Sequence, residues 1–289
     1  MQLITWNMQW GRGADGRVDL DRIINDARRF ADFDVLCVQE VCAGFVELPG
    51  ADESDQFNDL AARLSGFHAV PGIATDVPGP QGTRRRFGNM ILSRYPVMQT
   101  FVHLLPWPAE SGVKCMQRVA VEATLASPLG LLRVTTTHLE YYSARQRHAQ
   151  VERLRDLQRE GYAHAHTASV GLPADGPFCT PARGAPSILS GDFNCLPDSP
   201  DYALLTSPID AATPRYVDAW KLLHNGKTRP PSVGLYDKEQ WPDEPFTFDF
   251  IFVSEDLRHK VRAVRTDTNS VASDHQPVLI ELGEPDQVS

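Results

Sequence analysis

The chain predicts an α/β (α+β) fold, and three features carry that expectation. Short continuous apolar runs such as Val35-Leu36-Cys37-Val38 have the form of strands buried on both faces. Amphipathic helical repeats are interleaved with those runs, as in mixed α/β sheets. Polar residues capable of chemistry flank the apolar runs from the first to the last, so no half of the chain holds a complete set. The third feature argues for one domain over residues 1–283, followed by the polar tail Glu284-Pro285-Asp286-Gln287-Val288-Ser289. With 289 residues, 42% of them hydrophobic, such a domain can bury roughly three quarters of its unfolded surface.

Taken in order, Gln2-Leu3-Ile4-Thr5-Trp6 opens as an apolar-rich strand with Asn7 at its end, before the turn Gly11-Arg12-Gly13. From Asp19 to Ala31 the apolar Leu20, Ile23, Ile24, Ala27 and Phe30 recur at helical spacing. That helix leads into the Val35 strand, which delivers Gln39-Glu40. Phe57, Leu60, Ala61 and Leu64 repeat the helical pattern. Leu131 to Thr137 is β-branched and ends at His138. Ser143 is placed to cap a third helix reaching Tyr162, with Val151, Leu154 and Leu157 as its inner stripe and Arg145, Arg147, Arg153, Arg155 and Arg159 as a solvated face. Arg145 and Arg147 start close enough to His138 for one of them to reach a substrate.

Ser187-Ile188-Leu189 runs into Ser190-Gly191-Asp192-Phe193-Asn194, and strand alternation puts Asp192 and Asn194 on one face. Phe246 to Val253 alternates and carries Asp249 among aromatics. Asp274-His275 precedes the apolar Pro277-Val278-Leu279-Ile280. Any one of these polar groups is explained as a cap, a turn or a structural histidine. Six together, each beside an apolar strand, are better explained by one shared hydrophilic site, because carboxylates are seldom buried unpaired. Residues 71–87, 170–186 and 224–245 read as long loops rich in Gly or Pro. The first holds Arg84-Arg85-Arg86, either a solvated patch or a phosphate-contacting segment. The third holds Tyr236 and Trp241, either a wall for an organic leaving group or packing of the loop onto the body. Arg118 either stabilises its strand or reaches phosphate.

The formal charge of −9 counts against holding nucleic acid by nonspecific phosphate contact, without excluding it. No apolar run is long enough to span a membrane. Five scattered cysteines, with no metal-ligand spacing, fit reduced thiols, and the opening lacks the form of a signal peptide, so a cytoplasmic location is expected.

The series Thr5-Trp6-Asn7, Gln39-Glu40, Thr137-His138-Leu139, Gly191-Asp192-Phe193-Asn194, Phe248-Asp249-Phe250-Ile251-Phe252 and Ser273-Asp274-His275 resembles the endonuclease/exonuclease/phosphatase superfamily of DNase I-like metal-dependent phosphoesterases. Gly88-Asn89-Met90-Ile91-Leu92-Ser93-Arg94 adds to the likeness, which runs in family order over nearly the whole chain. The resemblance implies a four-layer sandwich of two mixed β-sheets packed face to face and flanked by helices. It implies a hydrolase using Mg²⁺ or Mn²⁺, hard cations suited to oxygen ligands. Glu40 is the first metal ligand expected, helped by Asn7, with Asp274 supporting the metal or water network. By the same resemblance Asp192 activates water, and Asn194 holds that water or a phosphoryl oxygen. His275, oriented by Asp249, stabilises phosphoryl charge, and His138 donates to a non-bridging oxygen. Gln9 departs from the Asp that the abasic-endonuclease branch carries there. The activity expected is phosphodiester hydrolysis, with DNA or RNA as one candidate substrate. The alternatives are hydrolysis of a small organic or lipid-headgroup phosphate, and a non-catalytic module on the same fold.

Overall fold

The computed structural model describes residues 1–167, 176 and 182–284. Cys179, the tail beyond Glu284 and most of the expected loop 170–186 lie outside the described residues. One six-stranded sheet runs in the order β11 (Val261–Thr266), β12 (Val278–Leu282), β1 (Gln2–Asn7), β2 (Val35–Ala43), β4 (Arg84–Ser93), β3 (His68–Pro78). The other runs β5 (Val97–Leu104), β6 (Val119–Ser127), β7 (Gly130–His138), β8 (Ser187–Asp192), β10 (Asp249–Ser254), β9 (Tyr216–Asp218). Each is mixed around one central parallel pair, β1 with β2 and β7 with β8.

Strand alternation sorts the apolar residues into layers. Leu3, Val35, Cys37 and Ile91 of the first sheet meet Val121, Val134, Ile188 and Ile251 of the second in one interlayer core. Their neighbours Ile4, Trp6, Leu36 and Val38 face outward under α1 (Leu20–Phe30) and α2 (Gln56–Arg63). On the other side Leu189, Phe250 and Phe252 face α3 (Ala144–His166) and α4 (Pro200–Thr206). The result is the four-layer sandwich expected, and it explains apolar runs such as Leu3-Ile4, Val35-Leu36-Cys37-Val38 and Ile188-Leu189 in the central strands.

Asp19 caps α1 by accepting from the Arg22 N–H at 3.0 Å, and Ser143 caps α3 by accepting from the Gln146 N–H at 3.0 Å. The arginines of α3 are not all a solvated face. Arg147 pairs with Asp201 at 2.9 Å, and Arg155 donates to the carbonyls of Leu204 and Ser207, fastening α4 to α3.

Residues 71–87 are not a loop. They form most of a hairpin, β3 with β4, closed by a short 3₁₀ turn at Pro80–Gly82. Pro71 and Pro78 argued against a strand, but β3 is the outermost strand of its sheet, where a residue without an N–H loses no ladder bond. The aromatic strand also starts later than expected, at Asp249, because Phe246 pairs instead with Val233 in an isolated bridge.

Arg133 shows how tightly α3 lies on its sheet. Its side chain is 1% exposed, donates from Nη2 to Gln158 at 2.6 Å and from Nε to the Gly184 carbonyl at 2.8 Å, and has Nη1 3.7 Å from Glu122. A Cβ on Gly161 of α3 would sit 1.8 Å from Nη1. Gly to Ala in a helix interior ordinarily stabilises by about 1 kcal/mol. Gly161→Ala is therefore expected to act in the opposite sense, destabilising by roughly 1–3 kcal/mol through overpacking against a guanidinium that cannot move aside. Urea unfolding measures it, and a raised midpoint would refute this packing.

Candidate active site

Along the interlayer the inward-facing side chains change character from one end to the other. β1 presents Leu3, then Thr5, then Asn7; β2 presents Val35, Cys37, Gln39; β8 presents Ile188, Ser190, Asp192; β7 presents Val134, Thr136, His138. Apolar residues thus give way to hydroxyls and amides, and these to charged groups at one rim. The middle step is hydrogen-bonded across the sheets, since Gln39 Nε2 donates to Thr5 Oγ1 at 3.1 Å and to Thr136 Oγ1 at 2.8 Å.

Register assembles the rim. Asp192 is paired with His138 on one side and with Asp249 on the other. Asn7 and Glu40 come from the opposing sheet. Glu40 reaches the site through a bulge between Val38 and Val41, where it adopts φ 61°. Gly191 has φ +139°, and a Cβ there would lie 1.9 Å from the Thr137 carbonyl oxygen, so only glycine lets β8 approach β7 just before Asp192. Asn194, at φ 48°, folds its backbone N–H onto Asp192 Oδ1 at 2.9 Å and donates its side-chain amide to the Leu139 carbonyl at 2.8 Å.

The sequence-derived set converges. Asn7 Nδ2 donates to Glu40 Oε1 at 3.2 Å and to Asp192 Oδ2 at 3.0 Å, while its oxygen accepts from the Gln9 N–H at 3.1 Å. Asn7 therefore faces the carboxylates with its N–H₂ group and turns its oxygen to the backbone. His138 lies 3.8 Å from Glu40 and 3.5 Å from Asp192. His275 Nε2 lies 3.7 Å from Asp192, and its Nδ1 is 2.8 Å from Asp249 Oδ2, which also accepts from Ser232 Oγ at 2.7 Å. Ser273 Oγ donates to the Asn7 carbonyl at 2.8 Å, and the Trp6 indole donates to the His275 carbonyl at 3.0 Å, tying the first motif to the last. Asp274 accepts from Gln240 at 3.1 Å and from the Trp241 indole at 2.9 Å.

Charge is unevenly shared. Burial, reinforced by the Asp274 charge, pushes the Glu40 carboxyl up to about 7. Burial and Asp249 raise Asp192 to about 6 against the pull of His275. The two imidazoles diverge: burial and the positive charges of Arg118 and His275 hold His138 well below its usual range. Burial would lower His275 too, but Asp249, Asp274 and Asp192 together raise it well above. The two imidazoles are thus biased in opposite senses, His138 toward the neutral form and His275 toward the charged form.

This crowd of buried acids fits a cation. Glu40 and Asp192 share one amide donor, and both are raised because their negative charges lack solvation. Oxygen donors of that kind suit a hard divalent ion. Asp192, Asp249 and His275 also bring ligand atoms within 4.8 Å of one another. His275 and Asp249 are already bonded to each other, and both oxygens of Asp192 and of Asp274 accept hydrogen bonds, which leaves Glu40, with one amide donor, as the least committed carboxylate of the rim.

A cleft of about 500 Å³ opens above the rim, lined by Glu40, His138, Asp192, Asn194, Asp274 and His275. Arg118 and Trp241 line it as well. Arg84, Arg85 and Arg86 do not; each is committed to a carboxylate, Asp76 at 2.7 Å, Glu47 at 2.6 Å and Asp55 at 2.6 Å. Arg145 donates to the Ala109 carbonyl, and Tyr236 OH donates to the Thr268 carbonyl, so both stand outside the cleft. Sequence reasoning missed Trp10, Phe45, Lys114, Tyr141, Tyr142 and Gln240. Tyr141-Tyr142, close behind Thr137-His138-Leu139, were the readable signal among them. It also missed Glu140, fully buried, which accepts from Arg118 Nε at 3.2 Å and from the Tyr142 N–H at 2.9 Å.

A family model described as the Endonuclease/Exonuclease/phosphatase family matches residues 4–275. No curated protein sequence matches the chain significantly. Among solved structures, an endonuclease/exonuclease/phosphatase from Beutenbergia cavernae is 22% identical with a TM-score of 0.65, covering 98% of this chain and 72% of that one. A mannosyl-6-phosphatase from Bacteroides thetaiotaomicron is 16% identical with a TM-score of 0.63, covering 98% and 99%. A 3′ phosphatase from Neisseria, solved bound to a product DNA hairpin, is 18% identical with a TM-score of 0.59, covering 98% and 99%. At these identities the likeness shows a shared fold.

Glu140 offers a stability test that leaves the acidic rim untouched. Glu140→Ala leaves the buried Arg118 charge without its partner and is expected to cost about 3–5 kcal/mol, the usual effect of breaking a buried pair. A loss below about 1 kcal/mol in urea unfolding would show that this pair does not hold the cleft wall.

Proposed function

The chain belongs to the endonuclease/exonuclease/phosphatase family, whose members are hydrolases of phosphoester bonds, and from that premise we propose that it hydrolyses phosphate esters with the help of a divalent cation. The observation that carries this reading is the convergence of Glu40, His138, Asp192, Asp274 and the His275–Asp249 pair around one cleft. Glu40, with Asp274 near it, would hold Mg²⁺ or Mn²⁺, whereas Asn7, expected to help as a ligand, presents its N–H₂ group to Glu40 and Asp192 and instead braces the two carboxylates. When bound, the cation neutralises charge on a phosphoryl oxygen and makes water a better nucleophile.

The remaining roles follow from the chain's own groups. Asp192 orients the attacking water and accepts its proton, with Asn194 fixing that carboxylate from behind. His275, charged and steadied by Asp249, donates from Nε2 to the phosphoryl group as negative charge builds. His138, neutral, donates one N–H to a non-bridging oxygen, and Arg118 adds positive charge to the wall. In the balance, one P–O bond to water forms, one P–O bond to the organic group breaks, and a proton passes to the departing oxygen. Catalysis here is mainly positioning and charge neutralisation.

The sequence ranks phosphodiester hydrolysis first, with nucleic acid as one candidate substrate, and the shared fold with a DNA-bound phosphatase keeps that substrate in view. A small organic phosphate ester is the reading we favour. Its support is that the cleft offers only Lys114 and Arg118 as lysine or arginine cations among the described residues, while the basic run is spent on surface ion pairs. A metal-supplemented panel of DNA, bis-p-nitrophenyl phosphate, inositol phosphates and sphingomyelin tests both readings. No turnover of any of them would defeat the proposal.

Chelation by EDTA is expected to abolish turnover, and Mg²⁺ or Mn²⁺ to restore it. Glu40→Gln should weaken metal affinity by calorimetry together with activity. Unchanged values for both would remove Glu40 from the metal shell. His275→Ala is expected to lower kcat by on the order of 10²-fold. Adding Asp249→Asn should cost little more, because the two act as one unit. Multiplicative losses in that cycle would show that they are uncoupled.

A further inference from the structure

The cleft contains more aromatic surface than phosphate chemistry requires. Tyr141 and Tyr142 stand at its mouth with 41% and 54% of their surface exposed, packed edge to face at 4.9 Å. Tyr141 meets Trp241 at 6.0 Å, and the Trp241 indole is anchored by its bond to Asp274. Trp10 and Phe45 also line the cleft. Lys114 sits 5.2 Å from the centroid of the Tyr142 ring and is the exposed cation of this wall. Two exposed tyrosines in contact, at the opening of a charged pit, form an apolar patch of the kind that marks a ligand site.

We propose that the organic part of the substrate is a single flat aromatic ring system, held against Tyr141, Tyr142 and Trp241 while its one phosphate rests on the acidic rim. This rests on the phosphoester reading above and narrows it. The volume of about 500 Å³ suits one ring and one phosphate. The cation supply agrees. A polynucleotide needs a basic track to replace its counterions, whereas the cleft lining carries Lys114 and Arg118, and Arg118 already faces Glu140. Aromatic faces recognise a flat ring by stacking and edge-to-face contact, an advantage that a saturated ring of equal size does not share. The ring source, an aryl group or a nucleobase, is left to the ligands of the test.

The test uses binding, so that it stands apart from turnover. The intact protein, with Mg²⁺ present, is titrated with benzylphosphonate, cyclohexylmethylphosphonate and adenosine 5′-monophosphate, following tryptophan fluorescence. A fourth titration uses oligothymidylate at two salt concentrations. Benzylphosphonate is expected to bind roughly 5-fold more tightly than its saturated counterpart. That preference should be lost in Tyr142→Ala and kept in Tyr142→Phe. Adenosine 5′-monophosphate binding more tightly than benzylphosphonate would assign the ring to a nucleobase, and the reverse to an aryl group. Equal affinity for the flat and saturated rings would overturn the proposal. So would oligothymidylate binding tighter than either phosphonate with a steep salt dependence. Absence of phosphoester turnover would instead defeat the catalytic reading, whatever the ring preference.

Discussion

Two sheets laid face to face leave every second side chain of their central strands in a space without water. An unpaired ion there costs several kcal/mol even after relaxation, so the interlayer tolerates charge only where it opens. The gradient from Leu3 through Thr5 to Asn7, repeated from Ile188 through Ser190 to Asp192, is the chain's answer to that cost. The middle rung of hydroxyls and Gln39 matters as much as the ends. It carries hydrogen bonds from one sheet to the other and lets the dielectric change gradually beneath the carboxylates.

At the rim the same cost becomes a resource. Asp192 lies between two imidazoles whose proton affinities are driven apart, one lowered by burial with cationic neighbours adding to it, the other raised by acids against its own burial. A neutral amide, Asn7, bridges two carboxylates that would otherwise repel each other without relief. Glu40 and Asn194 are both held in the left-handed region, at about 1–3 kcal/mol each for such residues. The bulge between paired stretches of β2 and β4 holds Glu40 there, and bonds to Asp192 and to the Leu139 carbonyl hold Asn194.

How much of this was legible in the sequence depends on how local each signal was. The layers were readable because strands buried on both faces must be apolar throughout, and the rim because its acids and histidines sit at strand ends. The hairpin at 68–93 escaped because Pro71 and Pro78 are tolerated on an edge that only the fold defines. Arg84-Arg85-Arg86 could be read as a solvated patch or as a phosphate contact because its partners Asp76, Glu47 and Asp55 are invisible until the sheet forms. The Gln9–Gln240 bond joins residues 231 positions apart, and no periodicity announces such a pair. Glu140 could not be identified as the partner of Arg118, since a Glu after a strand reads equally well as a cap.

The bonds from Trp6 to the His275 carbonyl and from Ser273 to the Asn7 carbonyl span 269 and 266 positions. β1, made first, has β12 as one of its two neighbours, so half of its ladder waits for a strand made last. At about 5–20 residues per second of synthesis, roughly 14–55 s separate Thr5 from its β12 partner Val278. During that interval β1 has β2 on one side only, and its other, apolar edge is the kind of surface that draws wrong partners. The rim can therefore be completed only once residues 273–282 are in place, because they supply both the last neighbour of β1 and the turn bonded to Asn7.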